Sequence, residues 1–216
     1  VWVDGVDVTE EAIEAVADHW KVDGEWLRVL GVIPATYLRH YYHRTSAVEM
    51  ARQPGRLTRG EEVKQIEREL LDVYSDPDVA TRPDLLSRRG GRGYSDAAIA
   101  AMRAIHHNIG DRQILQVLNG GAIDGVPDDA SVEIACLLDR IGPHPIRFGP
   151  LPLPIRGLIQ AVKSYESLTV QAAVEGSREL AMQALMAHPL VPSWEVARPL
   201  FDDLLAANQC WLPWAK

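Results

Sequence analysis

Apolar residues recur at three- and four-residue steps along most of this chain. Ile13, Val16, Ala17 and Trp20 predict a helix from about Thr9 to Trp20, with Thr9 as its N-cap and Glu10 and Glu11 in its first turn. Further helices are predicted over about 23–31, 36–51 and 59–75, the last carrying Val63, Ile66, Leu70 and Val73 on one face. Residues 75–93 then read as a long polar loop with two prolines, of a length uncommon inside compact domains and often functional there. Ser95 caps a predicted helix running to about His107, with Asp96 in its first turn. The period then changes. Ile114 and Val117, and later Val132 and Ile134, predict two strands around a connection rich in Gly, Asp and Pro. Pro143, Pro145, Pro150, Pro152 and Pro154 mark an extended stretch. One helix of more than thirty residues is predicted from about Ile155 to Ala187, stopped by Pro189, and a final one over about 193–209. The order is helices, a small antiparallel β unit, then long helices: a predominantly helical α+β fold.

The chain opens with "VWVDGVDVTEE", strand-like alternation already under way and an Asp4-Gly5 turn close behind. Without an initiator methionine, and with so little chain before the turn, the expectation is a fragment of a longer protein. Its 216 residues are enough to bury a core, as one large domain or two small ones. A net charge of −8, with no basic stripe to offset it, argues against a nucleic-acid partner. No apolar run approaches the roughly 20 residues that cross a bilayer. Cys136 and Cys210 lie far apart and match no metal spacing, which points to a reduced, cytoplasmic protein with two buried thiols.

The segment with the most chemistry is "RRGGRGYSDAAIAA", 88–101. Its glycines lack the third member of the dinucleotide fingerprint, and "DLLSRR" before them does not read as a strand, so a nucleotide cradle is excluded. Arg82, Arg88, Arg89 and Arg92 concentrate positive charge in an acidic protein. Guanidinium groups suit phosphate or carboxylate, and a helix N-terminus adds backbone donors. The alternative is a solvated loop whose arginines pair with surface carboxylates. Tyr94 sits at the loop–helix junction. It can act as a base near neutral pH only if neighbouring positive charge stabilises its phenolate; otherwise it packs over a helix end. His40 and His43 share a helix face at i, i+3 but lack a third ligand at fixed spacing, and the adjacent His106 and His107 add none. Asn119 turns its amide either to a sugar hydroxyl or to the tight turn that Gly120-Gly121 implies. Trp211, Leu212 and Trp214 form an apolar tail suited to packing or an interface.

"RRGGRGYSDAA" resembles the arginine–glycine–glycine–x–x–tyrosine–serine segment of the NAD-dependent family 4 glycoside hydrolases, in their 6-phospho-β-glucosidase branch. "VDGVDVTEEAIEAV", "ATYLRHYY", "EEVKQIERELLDVY", "NGGAIDGVPDDASVEIAC", "AVKSYESLTVQAAVEGSRELAMQALMAHPLV" and "LLAANQ" are similar to further segments of that family. The resemblance runs over nearly the whole chain and corresponds to the C-terminal half of the family's proteins. It implies one domain, 1–216, that holds substrate and oligomerises, with the Rossmann half for NAD upstream. It also implies a mechanism unlike that of two-carboxylate glycosidases. NAD oxidises the 3-hydroxyl of the sugar, a tyrosine removes the acidified proton on carbon 2, the aglycone leaves by elimination, water adds, and the hydride returns. A divalent metal, usually manganese, polarises the sugar oxygens.

On this resemblance Tyr94 falls on the tyrosine base, while Arg89, Gly90, Gly91, Arg92 and Asn119 are the candidate substrate contacts. No NAD or metal ligand is expected within this chain, since the family's metal-binding cysteine and histidine also lie upstream. The expected partners are a phosphorylated glycoside and further copies of the chain, as a dimer or tetramer, with neither nucleic acid nor membrane. The fragment alone is expected to be inactive. The family segment often shows two asparagines before the glycine, whereas here only Asn119 stands. Rival readings are a 6-phospho-α-glucosidase, α-galactosidase or α-glucuronidase of the same family, and a non-catalytic helical assembly module. The C-terminal domain of a lactate or malate dehydrogenase relative shares distant architecture, but the catalytic histidine context of those enzymes is not apparent.

Overall fold

The structure is a computed structural model that describes residues 1–90, 93–212 and 214, apart from the Thr36 side chain. The chain divides into two compact units. Unit 1 comprises Val1–Tyr42, Leu115–Ile134 and Pro145–Lys216, and unit 2 comprises His43–Ile114 and Ala135–His144. The chain passes from one to the other after Tyr42 and within three strands, β3 (Asp111–Leu118), β5 (Ser131–Asp139) and β6 (Gly142–Pro145).

Unit 1 opens on a hairpin of two short antiparallel strands, β1 (Trp2–Val3) and β2 (Val6–Asp7). Asp4 and Gly5, with φ of 50° and 81°, supply the left-handed turn between them. Helix α1 (Thr9–Trp20) follows. Thr9 is its first residue rather than its cap: Val8 holds the cap position, and the Asp7 carboxylate accepts from the Thr9 amide at 3.0 Å. That side chain reaches forward to satisfy the first free amide of the helix, the work expected of Thr9. Helix α2 (Glu25–Leu30) ends at Gly31, and Trp20 stacks on Trp26 with ring centroids 5.7 Å apart.

The single helix expected over 36–51 is instead a 3-10 turn (Thr36–Leu38), a four-residue α3 (Arg39–Tyr42) and α4 (Arg44–Ala51). The chain leaves helical geometry at His43, at φ −119° and ψ 45°, and its carbonyl accepts from the Ala47 amide at 3.0 Å to open α4.

The helix expected to exceed thirty residues is likewise two, α8 (Leu153–Glu175) and α9 (Arg178–Ala187). Gly176, at φ 67°, ends α8, and the Ser177 hydroxyl accepts from the Leu180 amide at 3.2 Å to start α9. Periodicity alone carried the apolar pattern across this break. Trp214 packs over Gly176, where an added Cβ would meet the Trp214 Cβ at 3.2 Å. Helix α10 (Trp194–Asn208) buries Ala197, Phe201 and Leu205. Two more short strands, β4 (Ile123–Asp124) and β7 (Gly149–Pro150), pair in parallel.

In unit 2, α5 (Arg59–Tyr74) starts on a capping box. The Glu61 amide donates to Thr58 Oγ1 at 3.3 Å, and the Thr58 amide donates to Glu61 Oε2 at 2.8 Å. Its expected face is largely correct, since Ile66 and Leu70 are buried while Val73 lies nearer the surface. The expected loop over 75–93 contains a short helix, α6 (Leu85–Arg89). Helix α7 runs Tyr94–His107, so Ser95 lies inside its first turn and Gly93 occupies the cap position without a side-chain bond.

The strands β3, β5 and β6 (Gly142–Pro145) form a sheet in the order β3-β5-β6. Val132, Ile134, Cys136 and Leu138 alternate inward along β5. On β3, Val117 is half-buried while Ile114 is exposed on the other face.

Candidate active site

Gly91 and Arg92 lie outside the described residues, so the site is built from what flanks them. α6 ends at Arg89, and Gly90 follows with φ 95° and ψ −175°, a conformation that side chains with a Cβ resist. Gly93, at φ 90°, turns the chain into α7, whose first residue is Tyr94. The Ala97 amide donates to the Gly93 carbonyl at 3.0 Å, which closes the first turn beneath the tyrosine. Tyr94 is 78% exposed, its phenol presented to solvent at a helix N-terminus. Gly90 follows a helix rather than a strand, which is not the strand–turn–helix setting of a dinucleotide cradle.

Arg89 does not stand open to a ligand. Its Nε and Nη2 donate to Glu67 Oε1 at 3.1 and 2.9 Å, which ties α6 to α5. This is the surface pairing that competed with sugar binding in the sequence. Arg59 makes a second tie, donating through Nη2 to the carbonyls of Arg88 and Arg89 at 2.8 and 2.9 Å and through Nη1 to Glu62 at 2.6 Å. Beside these contacts Leu57, Glu62, Gln65, Ile66, Glu69 and Arg88 line an open cavity of about 320 Å³. Neither Arg89 nor Arg59 supplies free positive charge for a phenolate at Tyr94.

Asn119 belongs to unit 1 and Tyr94 to unit 2. Asn119 is wholly buried. Its Nδ2 donates to the carbonyls of Ile123 and Val126 at 3.1 and 2.8 Å, and its Oδ1 accepts from the Ile123 amide at 2.8 Å. With both amide hydrogens engaged and no surface exposed, Asn119 organises the 119–126 turn. A sugar hydroxyl would have to displace those bonds.

The structure adds a tyrosine that sequence reasoning passed over. Tyr37 lies in the 3-10 turn before α3 and is 82% exposed, while Tyr41 and Tyr42 pack against aromatic neighbours. The sequence offers no signal for its exposure, because the spacing of "ATYLRHYY" predicts only a helix.

Cys136 is buried, and its thiol is pushed up by desolvation; Cys210 is exposed, contrary to the expectation of two buried thiols. Among the described residues no three His, Cys, Asp or Glu side chains gather where they could hold a metal ion. Among those residues, then, no donor set for manganese is visible. Nor, among those residues, is any helix long and apolar enough to cross a membrane.

Residues 1–191 match the family described as the family 4 glycosyl hydrolase C-terminal domain, and the chain belongs to that family. Its α+β architecture is that of the family's C-terminal domains. Among relatives, a Bacillus subtilis (strain 168) protein named "Probable 6-phospho-beta-glucosidase" is 38% identical over 99% of this chain and 51% of its own length. The 6-phospho-β-glucosidase of Thermotoga maritima, solved with NAD and glucose 6-phosphate, superposes with a TM-score of 0.87 at 32% identity, covering 98% of this chain and 51% of that one. Another crystal of that enzyme holds manganese, NAD+ and glucose 6-phosphate. A 6-phospho-α-glucosidase from gut microorganisms, with NAD and glucose 6-phosphate, gives 0.79 at 28% identity over 98% of this chain and 53% of that one. The chain spans about half the length of the relatives it matches.

Proposed function

We propose that this chain is the sugar-facing and oligomerising half of an NAD- and manganese-dependent 6-phospho-β-glucosidase whose dinucleotide-binding half is supplied by further sequence. The observation that carries this reading is the agreement of sequence and fold with 6-phospho-β-glucosidases across almost the full chain, at 38% and 32% identity. In the reaction so assigned, the contribution of this chain is a phenol. Its oxygen accepts the carbon-2 proton of a sugar oxidised at carbon 3, so that the aglycone leaves by elimination. A base of this kind needs access to substrate and positive charge nearby to bring its pKa toward the working pH.

Tyr94 is the base that the sequence resemblance implies, and its exposure at a helix N-terminus satisfies the first need. The segment from Gly90 to Tyr94, with Gly91 and Arg92 inside it, then lines the sugar. Tyr37 satisfies access equally, and Arg89 is committed to Glu67 rather than to Tyr94. This gives Tyr37 standing as the second reading. Tyr94→Phe and Tyr37→Phe in the complete enzyme decide between them. The variant that removes the base loses about 100-fold or more of kcat, together with deuterium exchange at carbon 2, while retaining NAD binding. If exchange persists unchanged in both variants, a tyrosine base from this chain is excluded. Assay of phosphorylated and unphosphorylated α- and β-glycosides separates the β-specific reading from the other activities of the family.

A further inference from the structure

We infer that the exposed apolar face of α7 is the surface on which the dinucleotide-binding half of the complete protein closes. The inference deepens the functional reading above and rests on its choice of Tyr94. Helix α7 has 14 residues and reaches about 21 Å, yet among the described residues it buries Ala104 alone. Asp96, Arg103 and His107 share one of its faces, and all three are exposed, as on any solvated helix face. On the far side Tyr94, Ala98, Met102 and Ile105 succeed one another at steps of four, four and three residues, with Ile99 and His106 along one flank. That stripe holds no Asp, Glu, Lys or Arg, and it too is open. Met102 is 67% exposed, Ile99 63% and Ile105 40%. An apolar stripe left in water along a whole helix marks a surface that another body covers.

The stripe begins at Tyr94, and this fixes what covers it. In the proposed reaction the proton leaves carbon 2 and the hydride leaves carbon 3, neighbouring carbons of one sugar. The half that holds NAD therefore stands within one sugar ring of the Tyr94 phenol. Ala98 lies one turn further along α7 and Met102 two turns, so a body that close at Tyr94 continues over both. This chain accounts for 51% of the Thermotoga maritima enzyme solved with NAD, which leaves in that protein a body of about equal length to do the covering. A second copy seated on the same stripe would instead shut the phenol away from the sugar.

The test uses the complete protein with Met102 replaced by the photocrosslinking residue p-benzoylphenylalanine. Irradiation is expected to join position 102 to a peptide of the dinucleotide-binding half, in a product with the mass of one chain. A product of twice that mass makes the face an interface between copies and overturns the proposal. A link to any residue within 1–216, or no link at all, overturns it equally.

Met102→Glu and Arg103→Glu then separate the two faces of the helix. Met102→Glu puts a carboxylate into the covered surface and is expected to lower kcat/KM for a 6-phospho-β-glucoside about tenfold or more, whereas Arg103→Glu, on the solvated face, stays within about twofold of wild type. A Met102→Glu enzyme equal to wild type, or one impaired no more than Arg103→Glu, would sink the proposal. If the complete protein turns over no phosphoglycoside at all, the functional reading falls, and the photocrosslink still decides what covers α7.

Discussion

Asn119 exposes no surface, and all three hydrogen bonds of its side chain stay within the residues from 119 to 126. Removing such a group strands two carbonyls and an amide with no water to replace it. Asn119→Ala in the 216-residue chain is therefore expected to lose about 2–3 kcal/mol of stability, read from the midpoint of urea unfolding. A shift below about 0.5 kcal/mol would return the residue to the class of surface contacts. From sequence alone the side chain was ambiguous, because an amide donates equally well to a sugar hydroxyl or to a backbone carbonyl. Burial breaks that tie, and burial is a property of the fold. Arg89 carries the same lesson: its type suits an anion, but the anion it meets is Glu67, twenty-two residues earlier.

Among elements, the turn after α9 is set by one ring. His188 ends that helix, and its Nδ1 accepts from the Leu190 amide at 3.2 Å, which requires the neutral imidazole. Tyr165 of α8 meets the ring edge-on with centroids 4.5 Å apart, and Tyr41 of α3 stacks at 6.3 Å. Burial moves the His188 pKa below its ordinary value near 6.5. The unfolded chain then binds the proton first, so the stabilising contribution is complete above the ordinary value. It is lost as pH falls through that value toward the lower folded one. The urea midpoint of the wild-type chain should fall between about pH 7.5 and pH 5 by more than that of His188→Gln. An identical fall in both would remove His188 from the explanation. Helix existence and most boundaries were legible at this scale because apolar periodicity reports them directly. The breaks at His43 and Gly176 were not, since each interrupts the backbone without interrupting the apolar pattern. The capping box at Thr58 is legible as T-x-x-E.

For the molecule as a whole, the order of helices, strands and helices follows from the sequence. The division into two units does not. The chain enters unit 2 twice and returns to unit 1 each time, so neither unit is a continuous stretch with a linker to betray it. The proposed division of labour belongs at this scale too. The 216-residue chain offered NAD, manganese and a 6-phospho-β-glucoside is expected to show no NAD-dependent turnover, because the reading above assigns the dinucleotide to further sequence and no metal donor set is visible among the described residues. Measurable turnover in a spectrophotometric aglycone-release assay would refute it.

The pair of Glu67 and Arg89 also has a consequence for ionic conditions. Both side chains are close to half exposed, at 44% and 46%, so their attraction reaches through solvent that dissolved ions penetrate. Screening shortens from about 10 Å at 0.1 M salt to about 3 Å at 1 M. Concentrated salt therefore weakens the tie between α5 and α6 in the wild-type protein and has no such tie to weaken in Glu67→Gln. Amide exchange over α6 in the two proteins should converge as salt rises, which makes this tie a feature of dilute, cell-like media.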